Sequence, residues 1–161
     1  MVTASISGDI AARIGAFLDS HRVMSLAVCG PHGPHAANVF YVRDRFALLW
    51  VSDPQTRHSL ALEANPHVAA TVAPDYRDFD EICGVQVFGD AHRVTDAAER
   101  HRARGLLEAR YPFLQRVALH APLKRAYEAA EVYRLVPREI AMIDNTRGFG
   151  HKDLLDLQSC E

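Results

Sequence analysis

Residues 23–52 hold three apolar, strand-like segments whose connectors are too short to carry the chain across a sheet. They are "VMSLAVC" (23–29), "HAANVFYVR" (35–43) and "RFALLWVS" (45–52), separated by "GPHGP" (30–34) and by Asp44. Parallel neighbours need a crossover of a dozen or more residues, whereas a short turn joins antiparallel ones. The glycines and prolines of 30–34 read as a turn, and Asp44 reads as the corner of a tight hairpin. This stretch therefore folds as an antiparallel meander.

The remaining segments extend the pattern. A first helix is expected from Ser7 or Gly8 to Ser20, capped by Ser7 or Asp9, with Ile10, Ile14, Phe17 and Leu18 on one face. A short helix over 55–64, carried by Leu60 and Leu62, must stop at Pro66. Strands follow at 67–73 and 83–94, with Gly89 marking a bulge or a close backbone approach. Arg-rich 96–110 and then 111–121 read as helices. Segments 131–137 and 138–144 return to strand, with Pro137 at their junction. The expectation is one domain over 1–161. It is mainly β (α+β), with six or seven strands in a small antiparallel barrel and flanking helices. Residues 1–20 form the amino-terminal helix, and 145–161 a loop with a short helix.

Charge and composition exclude several partners. Eighteen basic residues against twenty acidic ones give a net charge of −2, which creates no field for nucleic acid or an anionic membrane. No apolar run approaches the roughly 20 residues of a membrane-spanning helix. The amino end shows no basic-then-apolar leader, and three cysteines form no CxxC pair, so a reduced cytoplasmic protein is expected.

The turn at 52–58 carries the most chemistry. An apolar strand ending in Val51-Ser52 passes through Asp53-Pro54 into Thr56-Arg57-His58 at a helix start. A helix amino end offers free N–H groups and partial positive charge, and Arg57 adds a forked donor, so an anion could be seated there. The alternative is an ordinary cap on Asp53, with Arg57 and His58 facing water. Other motifs are weaker. The nine histidines include no HExxH, no G-x-S-x-G elbow or phosphate-loop sequence occurs, and the carboxylates of 78–81 read as a solvated loop. "RGFGHK" (147–152) is either a mobile lid bringing Phe149, His151 and Lys152 to a site, or a surface loop needing positive φ.

The order of these parts resembles the pyridoxamine 5'-phosphate oxidase-like FMN-binding split barrels. "VSDPQTRHSLALEANPHVA" resembles that family's flavin-phosphate segment, in which a hydroxyl residue ends a strand, a hydroxyl-Arg-Lys triplet follows, and a short helix closes on Asn-Pro. The hairpin before it, "VQVFGDAHRV" and "YRLVP" follow in the family's order, so the resemblance spans roughly residues 20 to 144. It implies a split barrel binding FMN at a homodimer interface. Arg57 and His58, with Thr56, would hold the phosphate. Val51 and Ser52 would stand at the strand end, Asn38, Val39 and Phe40 would line the isoalloxazine ring, and Gln86 would reach its edge. The implied activity is an FMN-dependent oxidoreduction of a small molecule, with NAD(P)H as a candidate donor. Non-catalytic flavin or haem binding is the alternative, and a deazaflavin also remains open. His58 stands where the family has lysine, which makes that phosphate contact pH-dependent. Gln86 is offset by two residues from the family's glutamine but keeps the same strand face. The carboxy-terminal Trp/Arg pair that grips pyridoxine substrates is missing, so a true pyridoxamine-phosphate oxidase is not expected. No evident general acid or base is present; His151 and Lys152 are the nearest candidates.

Overall fold

The computed structural model describes residues 2–117 and 119–157. The first half comprises α1 (Val2–Ser20), β1 (Val23–Gly30), β2 (Gly33–Phe40), β3 (Val42–Asp44), β4 (Ala47–Ser52), α2 (Arg57–Ala64) and β5 (His67–Val72). The second comprises β6 (Cys83–Arg93), α3 (Ala97–Arg110), α4 (Phe113–Val117), α5 (Ala121–Ala129), β7 (Glu131–Asp144) and β8 (Lys152–Asp156). All strand pairs are antiparallel, in the order β2-β1-β5-β6-β7-β4-β3, with β8 added on β7.

That order makes a barrel. β2 and β3 stand at opposite ends of the path, yet only Tyr41 separates them in sequence. The sheet must therefore curl until its two edges meet at one residue. Tyr41 is fully buried there, and its hydroxyl donates to the Leu18 carbonyl at 2.7 Å. The hairpins on either side form as the short connectors require. β1 pairs with β2 from Val23↔Phe40 to Gly30↔Gly33, and the β3–β4 turn falls at Arg45 and Phe46, with Arg45 at φ 55°.

Alternation separates the faces. Met24, Leu26 and Val28 of β1 and Val68, Ala70 and Val72 of β5 point inward, around Trp50 stacked on Tyr133 at 5.6 Å. Ile14 and Leu18 of α1 join this core. A second apolar layer lies where α3 packs: Val42, Leu49 and Val132 meet Ala103, Leu107 and Tyr111. At Gly89 the expected irregularity is present, as a register shift between Phe88 and Gly89 opposite Pro137. A Cβ at Gly89 would lie 2.1 Å from the Val136 carbonyl oxygen, so only glycine admits the approach. The bulge also absorbs Pro137, which cannot donate to the ladder; 131–144 is consequently one strand instead of two.

Other boundaries differ from expectation. α1 begins at Val2, so Ser7 and Asp9 fall within it and do not cap it. The helix expected over 111–121 is confined to Phe113–Val117. α5 lies beyond the helices expected from the sequence; it buries no residue, although Leu123, Ala126 and Tyr127 fall on one face. The tail forms a 3₁₀ turn at Asn145–Arg147 and then strand β8 where a short helix was expected. Leu155, buried beside the core, and the open edge of β7 explain that strand.

Candidate functional site

The strand-to-helix turn after β4 is built by side chains capping backbone. Asp53 Oδ1 accepts from the Gln55 N–H at 2.8 Å and shapes the turn; it does not cap the helix. Thr56 is the cap, accepting from the Ser59 N–H, while its hydroxyl also lies 2.9 Å from the Asp53 carbonyl. α2 then buries His58, Ser59, Ala61 and Leu62, while Leu60, expected on the apolar face, is exposed. His58 thus turns inward, away from water. Its Nε2 lies 2.7 Å from Ser52 Oγ and 3.2 Å from Thr56 Oγ1. Burial, followed by the nearby His35, pushes its pKa below the ordinary histidine value, so the ring is neutral at neutral pH.

Around this turn lies a cavity of about 310 Å³. Asn38, Val39 and Phe40 of β2, Val51 and Ser52 of β4 and His58 of α2 all line it. Three stretches distant in sequence thus converge because barrel closure brings the end of β2 beside the end of β4. The opposite wall is Leu107 and Tyr111 at the end of α3 with Phe113 and Leu114 of α4, a set sequence reasoning did not place in the site. No sequence signal marks that placement, because "YPFL" (111–114) reads as one face of a helix. Tyr111 is buried, its single hydroxyl proton shared between the Arg22 carbonyl, at 2.9 Å, and that of Tyr41. It anchors Phe40 and Phe113, with ring centroids 5.3 and 5.6 Å from its own. At the polar side, Asn38 Oδ1 accepts from Ser25 at 2.7 Å, leaving its amide N–H groups for a ligand.

The remaining candidates lie elsewhere. Arg57 opens onto a neighbouring cavity with His32 and His35. Gln86 is on the sheet's outer face, in the cross-strand row Asn38↔Ser25↔Thr71↔Gln86. Three strand spacings put it roughly 14 Å from Asn38. His151 and Lys152 are remote within the chain: Lys152 pairs with Ile143, whereas Ser52 pairs with Glu131 at the other end of β7. The 147–152 loop is tied down. Asp153 receives Arg13 at 2.7 Å and Arg147 at 3.0 Å, with His151 Nε2 3.1 Å away, and Gly148 and Gly150 take positive φ. A larger cavity, about 690 Å³, lies among α3, α4 and α5. Its charges are committed to one another, as in Lys124–Glu128 at 3.8 Å, and Arg104 is spent on the Tyr127 and Ala130 carbonyls.

The donor set of the smaller cavity fits a flavin: an apolar bed for a planar ring, an amide at its edge, and hydroxyl, imidazole and helix N–H groups where a phosphate would lie. Comparison with known proteins agrees with that fold. A UPF0306 protein from Serratia proteamaculans is 32% identical over 142 residues, covering 87% of this chain and 90% of that protein. Among solved structures, the conserved hypothetical protein Rv2991 from Mycobacterium tuberculosis superposes with TM-score 0.70 at 21% identity, covering 91% of this chain and 92% of the other. A heme binding protein from Mycobacterium smegmatis gives TM-score 0.68 at 19% identity, over 87% of this chain and 56% of that one. The family described as Pyridoxamine 5'-phosphate oxidase matches residues 10–143, from α1 to the end of β7, and the chain belongs to that family.

Proposed function

We propose that the protein is an FMN-dependent oxidoreductase acting on a small molecule, with NAD(P)H as its electron donor. The observation that carries this is the convergence of Asn38–Phe40, Val51–Ser52 and His58 on one cavity whose polar end is the start of α2. When bound, the flavin supplies hydride-accepting redox chemistry. The chain's part is to bind and orient. Val39, Val51 and Leu107 give the ring an apolar bed, and Asn38 offers an amide donor. Ser52, Thr56 and His58 receive the phosphate, with Arg57 reaching it from the other side of the turn. Leu114 and Phe113 exclude water from the opposite wall.

The outer sheet face leaves Phe40, Phe88 and Leu154 about half exposed. A second copy on this face would cover them and bring Gln86 and the β8 end toward the partner's flavin, so the working unit in this proposal is a homodimer. The deciding experiment is an absorption spectrum of the purified protein, followed by identification of any cofactor released on denaturation. Flavin bands with FMN in the supernatant are expected. A colourless protein that also fails to bind added FMN would refute the proposal.

Non-catalytic carriage of haem is a second reading. It is favoured by the neutral imidazole of His58 beside the cavity and by the likeness in fold to the heme binding protein. A Soret band on adding haem, lost in His58→Ala, would establish it.

A further inference from the structure

None of the residues of α5 is buried, and together α3, α4 and α5 enclose the cavity of about 690 Å³. Arg104 is the strut that holds this space open. It reaches from α3 to the carboxy end of α5, donating to the carbonyls of Tyr127, at 3.2 Å, and Ala130, with its guanidinium 4.8 Å from the centre of the Tyr127 ring. Arg100, Arg104 and Glu108 recur every four residues and form one stripe of α3, while Lys124, Tyr127 and Glu128 line the cavity from α5. Leu114 and Val117 of α4 supply its apolar part.

The charges of this chamber are paired but barely joined. Arg100 is 4.0 Å from Glu131, and Lys124 is 3.8 Å from Glu128. Both separations exceed hydrogen-bond length, and partly exposed pairs of this kind are individually weak. Glu108 differs, because the Tyr127 hydroxyl donates to it at 3.4 Å. The chamber therefore offers two loose pairs, each with a cation beside a carboxylate. A ligand of one sign is attracted by half of each pair and repelled by the other half. A ligand bearing both signs can join the two pairs into one alternating row. The volume lies within the range of small-molecule sites, roughly 300–1,000 Å³.

We infer that this chamber binds an amphoteric organic molecule of about dipeptide size, with a carboxylate and an ammonium joined by a partly apolar body. Arg100 takes the carboxylate with its fork and Glu128 takes the ammonium. The charges then alternate from Glu131 through Arg100 and the two ends of the ligand to Glu128 and Lys124. Leu114 and Val117 cover the body between. Leu114 also lines the candidate flavin cavity, so the two sites share a wall. That this molecule is the substrate of the proposed oxidoreduction rests on the flavin reading above; that it binds does not.

The test is calorimetric titration of the full chain, with and without FMN, against a panel of dipeptides bearing apolar, aromatic and polar side chains. Each is also used with its amino end acetylated and with its carboxylate converted to the amide. At least one free dipeptide should bind, and each blocked form of it should bind about tenfold or more weaker. Arg100→Gln and Glu128→Gln, both on partly exposed helix surface, should each weaken the free dipeptide by a similar factor and leave FMN affinity unchanged. The blocked dipeptides probe the same contacts on the unaltered chain, so the result does not depend on how the variants fold. The inference is overturned if no dipeptide binds either form of the chain, if blocking one end costs nothing, or if both variants leave binding intact. Dipeptide binding to a chain that takes up no FMN upholds this site and defeats the flavin reading; FMN binding without dipeptide binding does the reverse.

Discussion

His58 should make flavin affinity depend on pH in a way that riboflavin can expose. In the free protein its ring is held neutral by burial and by His35, with Nε2 2.7 Å from Ser52 Oγ. A phosphate placed at this turn favours the protonated ring, so binding draws in a proton. Replacing a neutral hydrogen bond, at about 0.5–1.5 kcal/mol, with a charge-assisted one, at about 1.5–3 kcal/mol, gains roughly 1–2 kcal/mol. That corresponds to FMN binding about five- to thirtyfold tighter at the acid end of the range. A single proton limits the slope to about tenfold per pH unit, and the ligand's own phosphate, titrating near pH 6, opposes the trend below that point. Fluorescence titration between about pH 8 and pH 6 should therefore show FMN binding tighten. Riboflavin, which lacks the phosphate, should show no trend, and His58→Gln should flatten the FMN profile. Equal pH profiles for FMN and riboflavin in the wild type, or an unchanged slope in His58→Gln, would show that His58 does not contact the phosphate.

Arg57→Ala should weaken FMN binding by roughly tenfold or more, the loss of a charge-assisted contact of about 1.5–3 kcal/mol; unchanged affinity would remove Arg57 from the phosphate site. Without ligand, the depressed pKa of His58 has a defined sign. The unfolded chain binds a proton near pH 6.5 while the folded site resists it, so this group's contribution is complete above that pH and is lost below it. Urea midpoints should drop on acidification, and drop less in His58→Gln. Gly89→Ala drives a Cβ into the backbone of Val136 and Pro137 and should cost about 1–3 kcal/mol or more. Gly105→Ala, on an exposed turn of α3 with nothing within 4 Å, should instead stabilise by about 0.5–1 kcal/mol, and thermal melts of both variants test the contrast. Asp153→Asn removes the negative charge shared by Arg13 and Arg147, so protease cleavage at 148–150 should accelerate; an unchanged rate would mean that hydrogen bonding without the charge holds the loop.

Much of the barrel is legible in the chain because its cause is local. β1 and β5 alternate cleanly, the β3–β4 hairpin turns within one residue of Asp44, and Gly89 with Pro137 announces the bulge. The site was legible where neighbours in sequence stay neighbours in space, from Ser52 through His58. It was illegible where folding adds distant partners. Tyr111 and Phe113 enter the cavity only because α3 packs on Leu49 and Val132, and "YPF" carries no mark of that placement. The divergence of Arg57 and His58 is likewise invisible in the triplet, since it depends on which side of α2 meets the β1–β2 turn. β8 resembled a helix because its leucines are consecutive and a five-residue strand is too short to display its period.

Tyr41 gives the barrel an unusual clasp. A rolled sheet ordinarily has to bring two remote edges into register after its strands have assembled, and the entropy of that search grows with the chain between them. Here one residue carries the chain from the last strand of one edge to the last strand of the other, so the ends are fastened before the interior strands are added. Assembly then amounts to filling a ring that is already looped, with β5, β6 and β7 completing the span between two hairpins that share a corner. Opening the peptide bond at that corner would leave every strand pairing possible and the covalent link between the two edges undone.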